Sequence, residues 1–275
     1  MDYVLPAGRR MDILNIKALL IAVLIFVPIE YLFALRPHQK IFRKAFFNDL
    51  IYALFNGIPI SLGLIAAITL ATSTVGRLVP AYVGSAVSSQ PVWLQVSEII
   101  VIADMGFYLA HRTFHAVPFL WRFHSIHHSI EELDWLAAHR VHPVDQALTK
   151  SASLVPVYLL GFSNSAIALF AIIFHVHGLL LHANVRLNIG PLRWLIASPQ
   201  FHHWHHAHER AAYDKNFAGQ LSLIDALLGT MYLPGNAVPE RYGVDDPIPS
   251  TYVEQLVYPV IPKARINEAP STRDT

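Results

Sequence analysis

The sequence predicts an all-α fold: an integral membrane bundle of about four transmembrane helices beneath a cytoplasmic, histidine-rich helical cap. Three observations carry this. Hydrophobic residues make up 54% of the chain, charged residues only 14%, and the mean hydropathy is +0.40; a soluble domain carries about a quarter charged residues. The apolar residues fall in runs close to the ~20 residues that cross a bilayer. The 16 histidines are bunched: "FHSIHHSIEELDWLAAHRVHP" (123–143) holds five, and "FHHWHHAH" (201–208) holds five more. A buried histidine without a partner is costly, so these bunches need a cause.

The elements follow in order. The first apolar run, 13–35, is interrupted only by Lys17 and Glu30. Positive charge precedes it, but no small-residue cleavage pattern follows, so "MDYVLPAGRRMDILNIKALLIAVLIFVPIEYLFAL" reads as a retained anchor rather than a signal peptide. The second run, 50–72, contains Asn56 and Pro59. The third, 92–110, contains Glu98 and Asp104 and should face other helices rather than lipid. The fourth, 148–182, is too long for one crossing and is broken by "GFSNS" (161–165), which predicts a helical hairpin. Arg36, Lys40, Arg43 and Lys44 mark the loop 36–44 as cytoplasmic, whereas 73–91 has Arg77 as its only charge and should lie outside. Arg9 and Arg10 would then lie outside too, so either the first segment does not fully cross or the internal loop outweighs the N-terminus. The expected organisation is one domain over 1–275: anchor helices in 1–110, a metal-binding region in 111–235 that includes the hairpin, and a C-terminal extension in 236–275 whose last dozen residues form a tail.

Composition also excludes classes. A formal net charge of +1 is unlike a nucleic-acid binder. The absence of cysteine removes disulfides, iron–sulfur centres, zinc–thiolate sites and a cysteine nucleophile. Metal chemistry would have to use nitrogen and oxygen.

The histidine spacing supplies it. His111 and His115 stand at i, i+4, so they share a helix face, with Asp104 and Tyr108 extending that stripe upstream. His124, His127 and His128 form H-x-x-H-H, and His202, His205 and His206 repeat that spacing. His182 ends the hairpin at the same membrane face. Nine imidazoles exceed the three or four protein ligands of one zinc and suit two metals with four or five each. Neutral imidazole favours iron, copper, nickel or zinc. Asp104, Tyr108 and Asn184 are candidates for orienting the ligands, as carboxylates behind ligand imidazoles often do. His38 and His208 read as structural, and His203 points away from the ligands beside it.

At these residues the chain resembles the fatty acid hydroxylase superfamily, which includes sterol desaturases, sphingolipid and fatty acid hydroxylases and alkylglycerol monooxygenase. The matching stretches are "DMGFYLAHRTFH", "LWRFHSIHHS", "RVHP", "HANVRL", "SPQFHHWHHA", "YDKNFAG" and "IDALLGTMY", in family order from Asp104 to Tyr232. The resemblance implies a multi-pass membrane diiron oxygenase of the bacterial inner membrane or endoplasmic reticulum. Its ligands would be His111, His115, His124, His127, His128, His182, His202, His205 and His206. Some members carry a further histidine four residues before the one matching His182; here that place is Gly178. His175, His177 and His142 are the weaker candidates for a tenth ligand.

The reaction expected is oxidation of an unactivated C–H bond in a lipid, hydroxylation or desaturation, using two iron ions, dioxygen and electrons from outside. No G-x-G-x-x-G and no cysteine cluster is present, so a separate reductase is implied. Sterols, acyl chains, sphingoid bases, ether lipids and carotenoids fit equally. A zinc-dependent membrane hydrolase is the alternative, although H-E-x-x-H is missing. A non-enzymatic haem or metal carrier is another, although these histidines cluster at helix ends.

Overall fold

A computed structural model describes residues 16–262. The start of the first predicted run, Arg9, Arg10 and the predicted tail lie outside the described residues. Eleven α-helices occur among those described: α1 (Ile16–Leu32), α2 (Phe46–Phe55), α3 (Gly57–Thr74), α4 (Ala81–Ser88), α5 (Val92–Ala116), α6 (Pro118–His128), α7 (Pro143–Leu160), α8 (Asn164–His182), α9 (Pro199–His205), α10 (Ser222–Leu228) and α11 (Tyr252–Val257). Only two isolated β-bridges accompany them, Ala34 with Val185 and Ala207 with Tyr242. The protein is a helical membrane bundle, as the composition predicts. Three helical stretches are long and apolar enough to cross a membrane: Gly57–Leu78, Val92–Ala116 and Asn164–His182.

Local chemistry sets the boundaries. The predicted second run divides into α2 and α3. Pro59 has no N–H to give to the Phe55 carbonyl, and buried Asn56 turns its side chain outward to donate to the Val141 carbonyl at 2.6 Å. The third run continues six residues past 110, to Ala116, and stops because Val117 precedes proline and is extended (φ −101°, ψ 114°). The hairpin is α7 and α8. Gly161 ends α7 with φ 79°, the left-handed conformation that closes helices, and Ser163 caps α8 by accepting from the Ala166 amide. The predicted loop 73–91 holds a 3₁₀ turn and α4.

Two cores hold the spans together. Val96, Ile99 and Ala103 of α5 pack with Val157, Phe162, Ala166, Ile167 and Phe170 of the hairpin. Ala22 and Phe26 of α1 pack with Trp135, Leu136, Leu179 and Ala183. Glu30, at the end of α1, accepts from the Trp135 and Asn184 amides at 2.8 and 2.9 Å, fastening two cap segments to the anchor. The C-terminal segment lies against the cap, where Tyr252 meets Tyr52 and the Trp121 indole donates to Asp246.

The approach of α5 to α7 depends on Gly106. A Cβ there would overlap the Ala152 carbonyl, whereas one at Gly178 of α8 would meet nothing within 4 Å. Gly106→Ala should therefore cost about 1–3 kcal/mol, and Gly178→Ala should be neutral or slightly stabilising. Melting temperatures of the two variants in one detergent check this; equal values contradict it.

Candidate metal centre

Four helix segments deliver nine histidines. The exposed end of α5 carries His111 and His115, α6 carries His124, His127 and His128, the last residue of α8 is His182, and α9 with the residue after it carries His202, His205 and His206. Pro118 and Pro199 sit in the first turns of α6 and α9, so both short helices start at fixed points beside the membrane. The nine gather into two groups. His111, His115, His124, His128 and His205 form one; His127, His182, His202 and His206 form the other. Within each group one ring nitrogen per residue lies within 4.8 Å of all the others. The groups adjoin: the His128 and His206 rings stack at 4.6 Å across the boundary.

The chemistry of the ring nitrogens indicates what fits between them. His111 Nδ1 donates to the Phe217 carbonyl at 2.7 Å, His127 Nδ1 to the Arg140 carbonyl at 3.0 Å, His182 Nδ1 to the Gly178 carbonyl at 2.8 Å and His205 Nδ1 to the Lys215 carbonyl at 2.8 Å. His124 Nδ1 donates to the Asp145 carboxylate at 2.7 Å. The four carbonyls require the proton on Nδ1, as does Asp145 when ionised, which leaves Nε2 of a neutral ring as a bare lone pair. Yet His111 Nε2 stands 2.9 Å from His124 Nε2, and His127 Nε2 stands 3.1 Å from His182 Nε2. Lone pair facing lone pair is repulsive unless a cation lies between them. Ligands bound at about 2.1 Å to one ion stand roughly 3 Å apart, which is the spacing observed. The Nε2 atoms of His115 and His205 are buried without a protein partner. Both groups therefore fit a metal ion.

Burial keeps the rings neutral. Desolvation holds His124, His127, His128, His202, His205 and His206 well below the ordinary imidazole range, and charge repulsion among neighbouring rings adds to it.

One loop orients three of the five histidines in the first group. Residues 213–219, "YDKNFAG", present the Lys215 and Phe217 carbonyls to His205 and His111, and the Asp214 carboxylate lies 3.4 Å from His115 Nδ1. Asp214 and Asn216 hold φ of 56° and 60°, values that Asp and Asn tolerate better than most residues. Asn216 is fully buried and locks the loop by donating to the Phe201 and Tyr232 carbonyls, both at 2.8 Å.

The residues expected to orient ligands act elsewhere. Asp104 touches no imidazole; its carboxylate accepts from the amides of Gly219, Gln220 and Leu221 at 2.7, 3.0 and 2.6 Å. Seven residues put it on the His111 face but about 10 Å away along the axis, so it clamps the end of the orienting loop. Tyr108 pairs with Thr230 at 3.0 Å. Asn184 exchanges hydrogen bonds with the backbone of Arg36. The three weaker ligand candidates lie outside both groups. His142 caps α7, accepting from the Val144 amide and donating to the Leu256 carbonyl. His177 donates to the Ala197 carbonyl, and His175 lies beside His139. His203 points away from the groups, between Tyr242 and the Ala183 carbonyl.

Sequence reasoning missed Asp145, the buried carboxylate that does hold a ligand imidazole. It also missed the buried ion network in which Asp49 pairs with Arg140 and Arg43, and Arg43 with Asp134. That network fixes Arg140, whose carbonyl orients His127. The only available signal was Asp145 in the second helical position after "RVHP". Asp145→Ala should weaken metal binding roughly 10–100-fold in chelator competition, while Asp245→Ala, which removes the exposed partner of His208, should leave it unchanged. Equal affinities in the two variants contradict the assignment.

The pattern of the fatty acid hydroxylase family matches residues 96–230, a span that contains all nine histidines. An ornithine lipid hydroxylase of Rhizobium tropici is 31% identical over 237 residues, covering 84% of this chain and 72% of that protein. Alkylglycerol monooxygenase of Homo sapiens is 32% identical over 165 residues, covering 57% of this chain and 34% of that protein. The Danio rerio alkylglycerol monooxygenase is 32% identical over 169 residues, 58% of this chain and 35% of its own. No solved structure matches the chain.

Proposed function

The chain belongs to the fatty acid hydroxylase family, and we propose that it is a membrane oxygenase that holds two iron ions and hydroxylates an unactivated C–H bond of a lipid. The observation that carries this reading is the pair of all-histidine groups with bare lone pairs facing one another at 2.9 and 3.1 Å. The nine imidazoles of the two adjoining groups together outnumber the three or four protein ligands of a single structural or hydrolytic zinc, and neutral nitrogen donors suit iron. The relatives named for ornithine lipid and alkylglycerol point to a lipid with a polar headgroup and to hydroxylation rather than desaturation.

When bound, the pair of irons supplies the activation of dioxygen and the abstraction of hydrogen, chemistry no side chain performs. His111, His115, His124, His128 and His205 would hold one ion; His127, His182, His202 and His206 would hold the other. The chain's own work is positioning and exclusion. The Phe217, Arg140, Lys215 and Gly178 carbonyls and Asp145 keep protons on Nδ1, so that every Nε2 they control faces inward. Phe217 packs edge-on to His111, His115 and His205, with centroids 5.6, 5.1 and 5.9 Å apart, and keeps water from the ligand side. The chain has no cysteine and no dinucleotide-binding glycine motif, so electrons come from a separate donor protein. The basic loop around Arg36, Lys40 and Lys44 supports a cytoplasmic cap, within reach of such a donor.

The test is purified, iron-loaded protein in lipid nanodiscs with a reductant and oxygen, with lipid products read by mass spectrometry. Lipid carrying one added oxygen should form. His127→Ala and His205→Ala, one from each group, should each lower the yield at least roughly 100-fold. Unchanged yield in either variant overturns the reading, and so does elemental analysis that finds one zinc, or one haem iron with a Soret band, instead of two irons per chain.

A further inference from the structure

A second polar cluster lies on the membrane side of the histidine groups. His139 and His175 bring their rings to 6.1 Å, and the charge of Lys150 acts on both. Lys150 lies seven residues past Pro143 at the start of α7, and His175 lies seven residues before His182 at the end of α8. At 1.5 Å per residue each sits roughly 10 Å along its helix axis from the cap end. The depth is therefore shared.

An ionisable side chain at that depth is expensive and normally pairs with another group. Lys150 has no hydrogen-bond or ion-pair partner among the described residues. Asp49, whose charge acts on His139, is taken by Arg43 and Arg140, and Asp145, five residues before Lys150 on α7, is taken by His124. His139 Nδ1 donates to the Leu136 carbonyl at 3.2 Å. His175 makes no hydrogen bond and is exposed on the face of α8 that also exposes Ile172 and Val176. The cluster thus offers an uncommitted amine and an uncommitted imidazole beside the exposed apolar face of α8. The next residue after His139 is Arg140, whose carbonyl holds His127, so the cluster adjoins the four-histidine group.

We propose that Lys150, with His175 and His139 around it, binds the polar oxygen-bearing group of the lipid substrate: a carboxylate, or the carbonyl of an ester or amide linkage. This rests on the reading that the histidine groups act on a lipid, and it sets the register of the reaction. His175 stands two turns before His182 on α8, roughly 10 Å along the axis, so the oxidised carbon is several bonds from that linkage.

The test measures binding without turnover. Native mass spectrometry of the full, detergent-solubilised chain reads the retention of palmitate, methyl palmitate, N-methylpalmitamide and hexadecane. Palmitate should be held roughly tenfold less tightly by Lys150→Met than by the natural chain, and Lys150→Arg should restore it. A parallel loss for the ester and amide identifies a linkage carbonyl as the natural ligand; a loss for palmitate alone identifies a free carboxylate. Hexadecane should be indifferent to the substitutions. Equal retention of every probe by Lys150→Met and the natural chain overturns the proposal, as does an equal loss for hexadecane. Should Lys150→Met fold poorly, His175→Gln, at an exposed ring without a hydrogen bond, carries the same comparison. Iron content is measured on the same preparations. Protein that binds no iron yet discriminates among the probes removes the oxygenase reading and leaves this site standing.

Discussion

The structure is organised around nitrogen lone pairs that point at one another. Five imidazoles give their Nδ1–H to acceptors the fold supplies, and two pairs of them bring bare Nε2 atoms to 2.9 and 3.1 Å. Such an arrangement is repulsive by itself and becomes favourable only around a cation. Burial sharpens the demand, because desolvation prevents the rings from escaping the conflict by taking up protons. The two histidine groups are therefore arranged as metal ligands would be.

Much of the cap exists to place acceptors behind those rings. The 213–219 loop gives two carbonyls and a carboxylate, and it is fixed at one end by buried Asn216 and at the other by Asp104, which reaches it from inside α5. Across the site, the carbonyl that holds His127 belongs to Arg140, and Arg140 is fixed by Asp49. Isolated buried charges would be costly, but here each is paired with geometry that satisfies it. The membrane helices thus do more than anchor the cap. Helix α5 carries Asp104, which clamps the orienting loop, and α7 carries Asp145, which holds His124 directly.

The sequence made the histidine groups legible and left their supports obscure, for a physical reason. Ligands on one short helix must recur at i, i+3 and i+4, so His124, His127 and His128, like His202, His205 and His206, announced themselves by spacing. Their acceptors are backbone carbonyls from distant segments, such as Phe217 behind His111, and a carbonyl leaves no trace in the choice of side chain. Asp104 shared a helix face with His111, as expected, but facing alone ignored the distance along the axis, which takes its carboxylate to a different loop. Asn56 looked like a tolerated polar residue inside one span; it marks the break between α2 and α3 because its amide is needed by the Val141 carbonyl. The hairpin was readable because Gly161 is one of the few residues at ease at a φ of 79°.

Iron K-edge X-ray absorption on the purified, iron-loaded protein addresses the central claim most directly. The account predicts two irons per chain with nitrogen neighbours at about 2.1 Å, the outer scattering pattern of several imidazole rings, and no sulfur. Iron surrounded by oxygen neighbours without imidazole scattering, or a folded chain that takes up no iron, would contradict it.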